Sequence, residues 1–201
     1  MKFSMPCAFP HTLYIVRHGQ TAWNAERRFQ GQRDTPLNDK GRGQARRNGE
    51  ALMEAQADLS ALRFIASPLA RARETMEILR AALGLDPHAY ETDPLLMELS
   101  YGSWEGMTLH DISTNHKPEW DAREADKWHT PPPGGESYAQ GEARARQFLG
   151  ALQGGTLIVA HGGMQRAFRA LLEDLPRGEA AVLDIPQDRI YRWDGAGAGW
   201  I

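Results

Sequence analysis

The sequence predicts an α/β fold: a three-layer, doubly wound, mostly parallel sheet with helices on both faces. Short apolar runs alternate along the chain with longer amphipathic segments, which is the pattern of strands and helices in turn. Two of the apolar runs, residues 13–16 and 157–160, lead into the same His-Gly pair, and neither approaches the length of a bilayer span. No internal repeat interrupts the pattern, so we expect a single domain over residues 1–201.

Composition excludes several classes of protein. The 23 Lys and Arg are scattered among 26 Asp and Glu, which gives a net charge of -3, so no nucleic-acid partner is expected. The N-terminal residues lack the apolar stretch of a secretory signal, and we therefore expect a cytoplasmic protein without a membrane partner. Cys7 is the single cysteine, so neither an intramolecular disulfide nor a cysteine-based zinc site is expected.

Hydrophobic patterning predicts the first elements. Residues 12–16 form a short apolar run, which indicates a buried strand. Residues 38–56 place Ala45 and Leu52 on one face, which indicates an amphipathic helix. A second buried strand is predicted over residues 63–66.

The next helix is marked by its ends. Ser67 is predicted as the N-cap and Pro68 as the first-turn proline of a helix over residues 69–83. Gly84 follows as the C-terminal cap.

The middle of the chain is irregular. Residues 93–135 contain scattered prolines and glycines around one short helical piece, residues 107–113. We interpret this segment as an insertion that forms a lid over the site, and we expect it to carry substrate specificity.

Regular elements resume at Ser137, which is predicted to cap a helix over residues 138–152. A buried strand over residues 156–160 and a helix over residues 164–175 follow. Weak alternation over residues 190–193, followed by a glycine-rich turn, predicts a terminal hairpin at the sheet edge.

Two histidines occupy equivalent positions in this fold. His18 and His161 each follow a buried strand, and each precedes a glycine, which lets a ligand approach the backbone. Because ligands of parallel sheets bind outside the carboxyl ends of the strands, we expect the two imidazoles to converge there. The alternative is that each imidazole merely ends its strand and satisfies a backbone carbonyl; two identical placements favour a shared site.

Two arginines belong to the same predicted edge. Arg17 adjoins His18, and Arg71 lies about one turn into the helix after the second strand. Two guanidinium groups beside a helix N-terminus favour a tetrahedral anion such as phosphate. A helix arginine can also be merely solvated or paired with a nearby acid, and this is how we interpret Arg73. Taken alone, Arg71 would have the same interpretation.

Such a site still lacks an acid. Glu98 stands between Met97 and Leu99, an apolar setting that would raise the pKa of its carboxyl and keep it protonated for donation to a leaving oxygen. Glu105 competes for this role. The residues alone leave the choice open, because either side chain can be a surface carboxylate.

Other chemistries fail on spacing. A Cys-x5-Arg loop starting at Cys7 would need Arg where Leu13 stands, and the sequence has no Asp-x-Asp pair, P-loop lysine or His-Glu-x-x-His motif. His110, His116 and His129 are irregularly spaced, so no metal is expected.

These residues resemble the histidine phosphatase superfamily, which includes the cofactor-dependent phosphoglycerate mutases. The most specific match is VRHGQTAWN at residues 16–24. The other matches arrive in family order: FQG at 29–31, DTPLN at 34–38 with Gly41, SPLARA at 67–72, Glu98 with WEG at 104–106, and HGG at 161–163. The resemblance covers the chain from residue 13 to about residue 170.

The resemblance implies a role for each residue. His18 would be the nucleophile that forms a phosphohistidine, while Arg17, Arg71 and His161 would hold the equatorial oxygens. Glu98 would protonate the leaving alkoxide and then activate water, which by family position favours it over Glu105. The implied further phosphate contacts are Asn24, Gln30 and the backbone at Gly31 and Gly162, with Thr21 behind them. Four tryptophans are candidates for the substrate mouth, with core or lid packing as the alternative: Trp23, Trp104, Trp120 and Trp128.

Length separates two activities within this family. Its mutases carry a longer insertion between acid and second histidine, with adjacent arginines for a substrate carboxylate; here Glu98 and His161 are 63 residues apart, without adjacent arginines. The resemblance is closest to the small broad-specificity bacterial-type phosphatases.

We therefore expect a phosphomonoester hydrolase that acts on a small metabolite and needs neither a metal ion nor a cofactor. A phosphoglycerate-type mutase is the alternative. A non-catalytic binding module is a remote alternative, because the sequence retains every residue that the family uses in catalysis. Substrate identity and oligomeric state stay open.

Overall fold

The computed structural model describes residues 9–55, 59 and 61–201, and its centre is a six-stranded mixed sheet. Cys7 lies outside the described residues. The strands are β1 (Leu13–Arg17), β2 (Arg63–Ala66), β3 (Glu91–Thr92), β4 (Thr156–Ala160), β5 (Ile190–Trp193) and β6 (Ala198–Trp200). Their order is β3-β2-β4-β1-β5-β6, in which β3, β2, β4 and β1 are parallel and β5 and β6 are antiparallel. The predicted α/β class is confirmed.

Helices cover both faces of the sheet. They are α1 (Ala22–Ala25), α2 (Asp39–Glu54), α3 (Ala70–Ala82), α4 (Leu109–Asn115), α5 (Lys117–Ala125), α6 (Tyr138–Ala151), α7 (Gly162–Leu172) and α8 (Arg177–Ala180). Side chains alternate across β1: Leu13 and Ile15 join the apolar layer of α6 and α7, whereas Tyr14 and Val16 join that of α2 and α3. Of the helices in the described part of the chain, none combines the length and apolarity needed to cross a bilayer.

Strand register brings the two histidines together. β1 and β4 are paired with Arg17 opposite Ala160, so His18 and His161 follow side by side. The His18 N–H donates to the carbonyl oxygen of Ala160 at 3.0 Å, which continues the ladder by one residue. β2 flanks β4 on its other side, and Ser67 therefore ends at the same edge.

Two predicted features of α3 have different outcomes. Its N-cap is Leu69, so the prediction of Ser67 as the cap and of Pro68 inside the first turn was wrong. The Ser67 hydroxyl instead forms a hydrogen bond with Nε2 of His161 at 2.8 Å. Gly84 closes the helix as predicted, with φ of +70°. The Gly84 and Leu85 amides donate to carbonyls of the last turn, which is the Schellman arrangement.

Helix boundaries shift elsewhere. α7 begins at Gly162, two residues before the predicted start, and ends at Leu172, three residues before the predicted end. Asn38 caps α2 rather than belonging to it, and residue 56 lies outside the described residues. The terminal hairpin is confirmed, since β5 pairs antiparallel with β6.

The irregular segment 93–135 contains more helix than predicted. The short helix predicted at residues 107–113 is α4, capped by Thr108 and displaced by two residues. α5 was missed because Pro118 suggested a break, yet it is the second residue of the helix. A proline is tolerated in the first turn because the amides there have no partner within the helix.

Candidate active site

The carboxyl ends of β1 and β4 open onto a cavity of about 390 Å³. Eight of the nine predicted site residues line it: Arg17, His18, Asn24, Gln30, Gly31, Arg71, Glu98 and Gly162. The ninth, His161, is fully buried beside His18, with ring centroids 5.0 Å apart. The structure therefore gathers the predicted residues in one place, with the two imidazoles side by side.

Hydrogen bonds determine the tautomer of His18. Its Nδ1 lies 2.8 Å from the carbonyl oxygen of Gly19, and its Nε2 lies 3.2 Å from Nε of Arg71. A carbonyl only accepts and a guanidinium only donates, so Nδ1 carries the proton and Nε2 the free lone pair. The nitrogen available for nucleophilic attack is therefore Nε2.

The charge state of both imidazoles follows from their surroundings. Burial lowers the pKa of His18 well below its usual value, and the cations of Arg71 and Arg17 lower it further. Burial and Arg71 lower the pKa of His161 in the same direction. Both rings are therefore neutral at neutral pH, as a nitrogen nucleophile requires.

Arg71 is fully buried, and its guanidinium contacts both His18 and the loop around Gly31. Besides its contact with His18, its Nη1 donates to the carbonyl of Arg33 and its Nη2 to that of Gly31, both at 2.7 Å. Burial lowers the pKa of Arg71 to about 10, so it remains a cation at neutral pH. Its side chain thus ties the loop around residue 31 to the histidine.

Arg17 is the second cation of the cavity. Its Nη1 donates to the carbonyl oxygen of Ile185 at 2.6 Å, while its buried Nε has no partner among the described residues. Gly162 lies against this guanidinium: an added Cβ there would come within 3.4 Å of Nε. The arginine is therefore anchored at one nitrogen and retains donors for an anion.

The surroundings of Glu98 differ from those predicted. Its Oε1 accepts from the amides of Leu99 (2.9 Å) and Met164 (3.2 Å), and its Oε2 accepts from the amide of Gly163 (3.1 Å). The expected apolar setting was wrong, because the start of α7 brings backbone donors to the carboxyl group from a distant part of the sequence. Gly163 is required there, since a Cβ would lie 2.5 Å from Oε1.

Glu105 supports the site without lining it. Its Oε1 accepts from the amides of Gln32 (3.0 Å) and Tyr101 (3.1 Å). It also packs directly beneath Gly31, whose φ of +54° and lack of a side chain permit the contact. Glu105 therefore fixes the loop that Arg71 holds from the other side.

Asn24 is oriented by a residue that the sequence did not reveal. Its Oδ1 accepts from the amide of Thr21 (3.2 Å) and from Nε2 of Gln187 (3.1 Å). Its Nδ2 is consequently the atom left to face a ligand. Gln187 also donates to the carbonyl oxygen of His18 at 3.0 Å. No motif or periodicity marks Gln187, which comes from an irregular segment before β5.

Gln30 has a different environment from Asn24. Its Nε2 donates to Oγ1 of Thr21 at 2.6 Å, and its Oε1 accepts from Oγ1 of Thr35 at 2.9 Å. Only the second Nε2 proton is left for a ligand. Thr21 lies behind both amides, as expected.

The tryptophans do not form the mouth of this cavity. Trp104 and Trp128 are buried in the core, and Trp23 packs against Gly106. Trp120 lines a neighbouring cavity instead. The alternative of core and lid packing therefore holds for Trp23, Trp104 and Trp128.

Comparisons with known proteins agree with this geometry. A model of the histidine phosphatase superfamily (branch 1) matches residues 13–201. A probable phosphoglycerate mutase of Erwinia tasmaniensis is 34% identical over 194 residues, which cover 94% of this chain and 87% of the relative.

Solved structures are similar as well. A mycobacterial glucosyl-3-phosphoglycerate phosphatase in complex with VO3 is 31% identical, with a TM-score of 0.78 over 95% of this chain and 96% of the other. The alpha-ribazole phosphatase of Shigella flexneri is 26% identical, with a TM-score of 0.78 over 90% and 89% of the two chains.

The depressed histidine pKa values predict a pH-dependent stability. Unfolded histidines take up protons near pH 6.5, whereas folded His18 and His161 do not, so the free energy of unfolding should decrease as the pH falls from 7 to 5. Each contributes a slope of up to about 1.4 kcal/mol per pH unit. Urea unfolding at several pH values gives the change of the unfolding free energy with pH. This change should be smaller in His18→Gln than in the wild type, and it should be unaltered in the exposed control His110→Gln. The same pH dependence in all three proteins would contradict the neutral rings.

The orientation of Asn24 predicts coupling to Gln187. In Gln187→Met the side chain cannot donate and adds no charge, so Asn24 loses its fixed orientation, and the Kd for inorganic phosphate should rise about 10-fold. In an Asn24→Ala background the same change should have little further effect. Isothermal titration calorimetry with phosphate measures both, with the same substitution at an exposed site, Gln153→Met, as the control. Additive losses would show that Gln187 acts independently of Asn24.

Proposed function

The chain belongs to the histidine phosphatase superfamily, and from this membership and the site geometry we propose that it hydrolyses phosphomonoesters through a phosphohistidine on His18. One observation carries the proposal: the neutral imidazole has its unprotonated Nε2, hydrogen-bonded to Arg71, at a cavity that also holds the cations of Arg17 and Arg71. The substrate is a small phosphorylated molecule.

In the first half-reaction, Nε2 of His18 attacks phosphorus and the bond from phosphorus to the ester oxygen breaks. The leaving alkoxide takes a proton from Glu98. Within this carboxyl group Oε1 accepts two hydrogen bonds and Oε2 one, so we assign the donated proton to Oε2, which has more capacity left. Arg17 and Arg71 offset the charge of the transferring phosphoryl group.

In the second half-reaction, water attacks the phosphohistidine. Glu98 accepts a proton from that water, the phosphorus–nitrogen bond breaks, and inorganic phosphate leaves with His18 restored. We assign further phosphoryl contacts to Nδ2 of Asn24, to Gln30, to the backbone at Gly31 and Gly162, and to His161, whose Nδ1 has no partner in the described part of the chain.

A mutase of the phosphoglycerate type is the second candidate, because curated relatives carry that name. A mutase must shield its phosphohistidine from water while the intermediate turns. Solved structures of two phosphatases share the fold of this chain at 31% and 26% sequence identity. These neighbours support the hydrolase.

The remaining expectations accompany the proposal. The two guanidinium groups supply the positive charge that a metal ion provides in other phosphatases, so we propose metal-independent catalysis without a cofactor. With a single cysteine and a mildly acidic composition, we propose a cytoplasmic enzyme without nucleic-acid or membrane partners. We also propose that residues 93–135 form a lid within one domain.

Glu98 as leaving-group acid predicts a dependence on the leaving group. Glu98→Gln should slow the hydrolysis of alkyl phosphates about 100-fold, because their alkoxides need a proton, and that of p-nitrophenyl phosphate far less. Glu105→Gln is the matched control and should reduce both rates by a similar factor. A larger selective loss in Glu105→Gln would transfer the acid role to Glu105.

Product analysis tests the proposed function directly. With 3-phosphoglycerate and 2,3-bisphosphoglycerate present, phosphorus NMR should show little 2-phosphoglycerate, whereas a suitable phosphomonoester should release phosphate. This release should continue after exhaustive chelation of metal ions.

Rapid quench should trap an acid-labile phosphoryl adduct of the protein, and this adduct should be absent in His18→Ala. Isomerisation that outpaces phosphate release on every substrate would favour the mutase. Activity that requires one specific cation would refute metal independence.

A further inference from the structure

A second cavity of about 270 Å³ adjoins the active site. We call it the outer cavity. It shares Phe29, Tyr101 and Arg166 with the active-site cavity, so the two cavities lie next to each other at these three side chains. Its remaining wall comes from α5 and the chain that follows it, from the start of α6, and from the end of α8.

The outer cavity is positively charged. Arg123, Lys127 and Arg166 line it, and no carboxylate does. Lys127 is neutralised by Glu124, whose Oε1 lies 2.9 Å from Nζ. The same carboxylate is 4.0 Å from Nη1 of Arg123, beyond hydrogen-bond distance. Arg123 therefore shares this carboxylate with Lys127 and forms no hydrogen bond with it.

Arg123 is buried in an unusual way. It is 1% exposed, and its Nε has no hydrogen-bond partner among the described residues. Its guanidinium lies 5.7 Å from the ring of Tyr101 and 5.9 Å from that of Tyr138. Ring contacts of this kind attract the cation but leave the in-plane N–H donors unused.

Other buried arginines in this chain are satisfied by oxygens. Arg80 donates to the carbonyl of Asp86 at 2.7 Å. Arg71 donates to the carbonyls of Arg33 and Gly31, both at 2.7 Å. Since a buried cation without such partners is costly, the exception at Arg123 indicates that an anionic ligand supplies the missing acceptors.

Arg166 adds a second donor group to the same wall. Its Nε donates to the carbonyl of Leu183 (2.8 Å) and its Nη1 to the hydroxyl of Tyr138 (3.1 Å). These bonds fix the guanidinium between the two cavities, where it reaches a ligand in either.

We propose that the outer cavity binds a second anionic group, a carboxylate or a second phosphate, on the alcohol part of the substrate. Arg123 and Arg166 bind its oxygens, and Phe29, Tyr101 and Trp120 pack on the carbon chain that connects it to the scissile phosphoryl group. This inference rests on the proposed function. It restricts the substrate class to phosphomonoesters with a further negative charge.

Matched substrate pairs test the proposal and distinguish the two anions. The carboxylate arm compares 3-phosphoglycerate with glycerol 3-phosphate, and the phosphate arm compares glucose 1,6-bisphosphate with glucose 6-phosphate. We expect the wild type to prefer the more anionic member of at least one pair by about 10- to 100-fold in kcat/KM. Arg123→Met should abolish most of this ratio. Lys117→Met, which removes a charge from the exposed face of the same helix, should preserve it.

A second variant avoids the buried core. Val182 is 67% exposed and lines the outer cavity, so Val182→Glu should repel the anionic member and lower the ratio about 10-fold relative to the size-matched Val182→Gln. Equal kcat/KM for both members of both pairs in the wild type, or a ratio that survives both Arg123→Met and Val182→Glu, would overturn the proposal.

Failure of the proposed function has a different signature. In that case no phosphomonoester of the panel is hydrolysed. Calorimetry on His18→Ala protein, which binds without turnover, then still measures the preference for the anionic member and its loss on adding Arg123→Met. A preserved preference supports the outer cavity even without hydrolysis, and its absence refutes the cavity by itself.

Discussion

The buried guanidinium of Arg71 connects three parts of the molecule that sequence keeps apart. It reaches from α3 to Nε2 of His18 at the end of β1 and to the carbonyls of Gly31 and Arg33 in the following loop. Its donors fix the imidazole tautomer, and its charge helps to keep that imidazole neutral. This side chain thus contributes to the position, the tautomer and the charge state of the proposed nucleophile.

In the proposed site, backbone amides and arginine side chains bind different groups. A helix N-terminus at the edge of a parallel sheet usually binds the anion itself. Here the first amides of α7 bind the carboxyl group of Glu98 instead, which holds the proposed acid in place. In the proposed mechanism Arg17 and Arg71 bind the anion, and their burial strengthens their electrostatic field.

Sequence predicted those features that depend on local pattern and strand topology. The paired strand-His-Gly runs predicted the meeting of His18 and His161, because register alone brings equivalent strand ends together. It did not predict contacts made by backbone groups or by residues distant in sequence. The amides of α7 around Glu98, and the amide of Gln187 on Asn24, became visible only when the chain was folded. One local prediction was also wrong. Pro118 suggested a break in the chain, yet it lies in the first turn of α5.

The 3.2 Å contact between Arg71 and Nε2 of His18 also acts as a mask on the resting nucleophile. The lone pair that must attack phosphorus is the one that accepts this hydrogen bond, so attack requires Arg71 to exchange the imidazole for phosphoryl oxygens. A dianionic phosphate attracts the guanidinium far more strongly than a neutral nitrogen does. The bond that orients the imidazole therefore has to open before the lone pair can react, so that binding of the phosphate and release of the lone pair become one event.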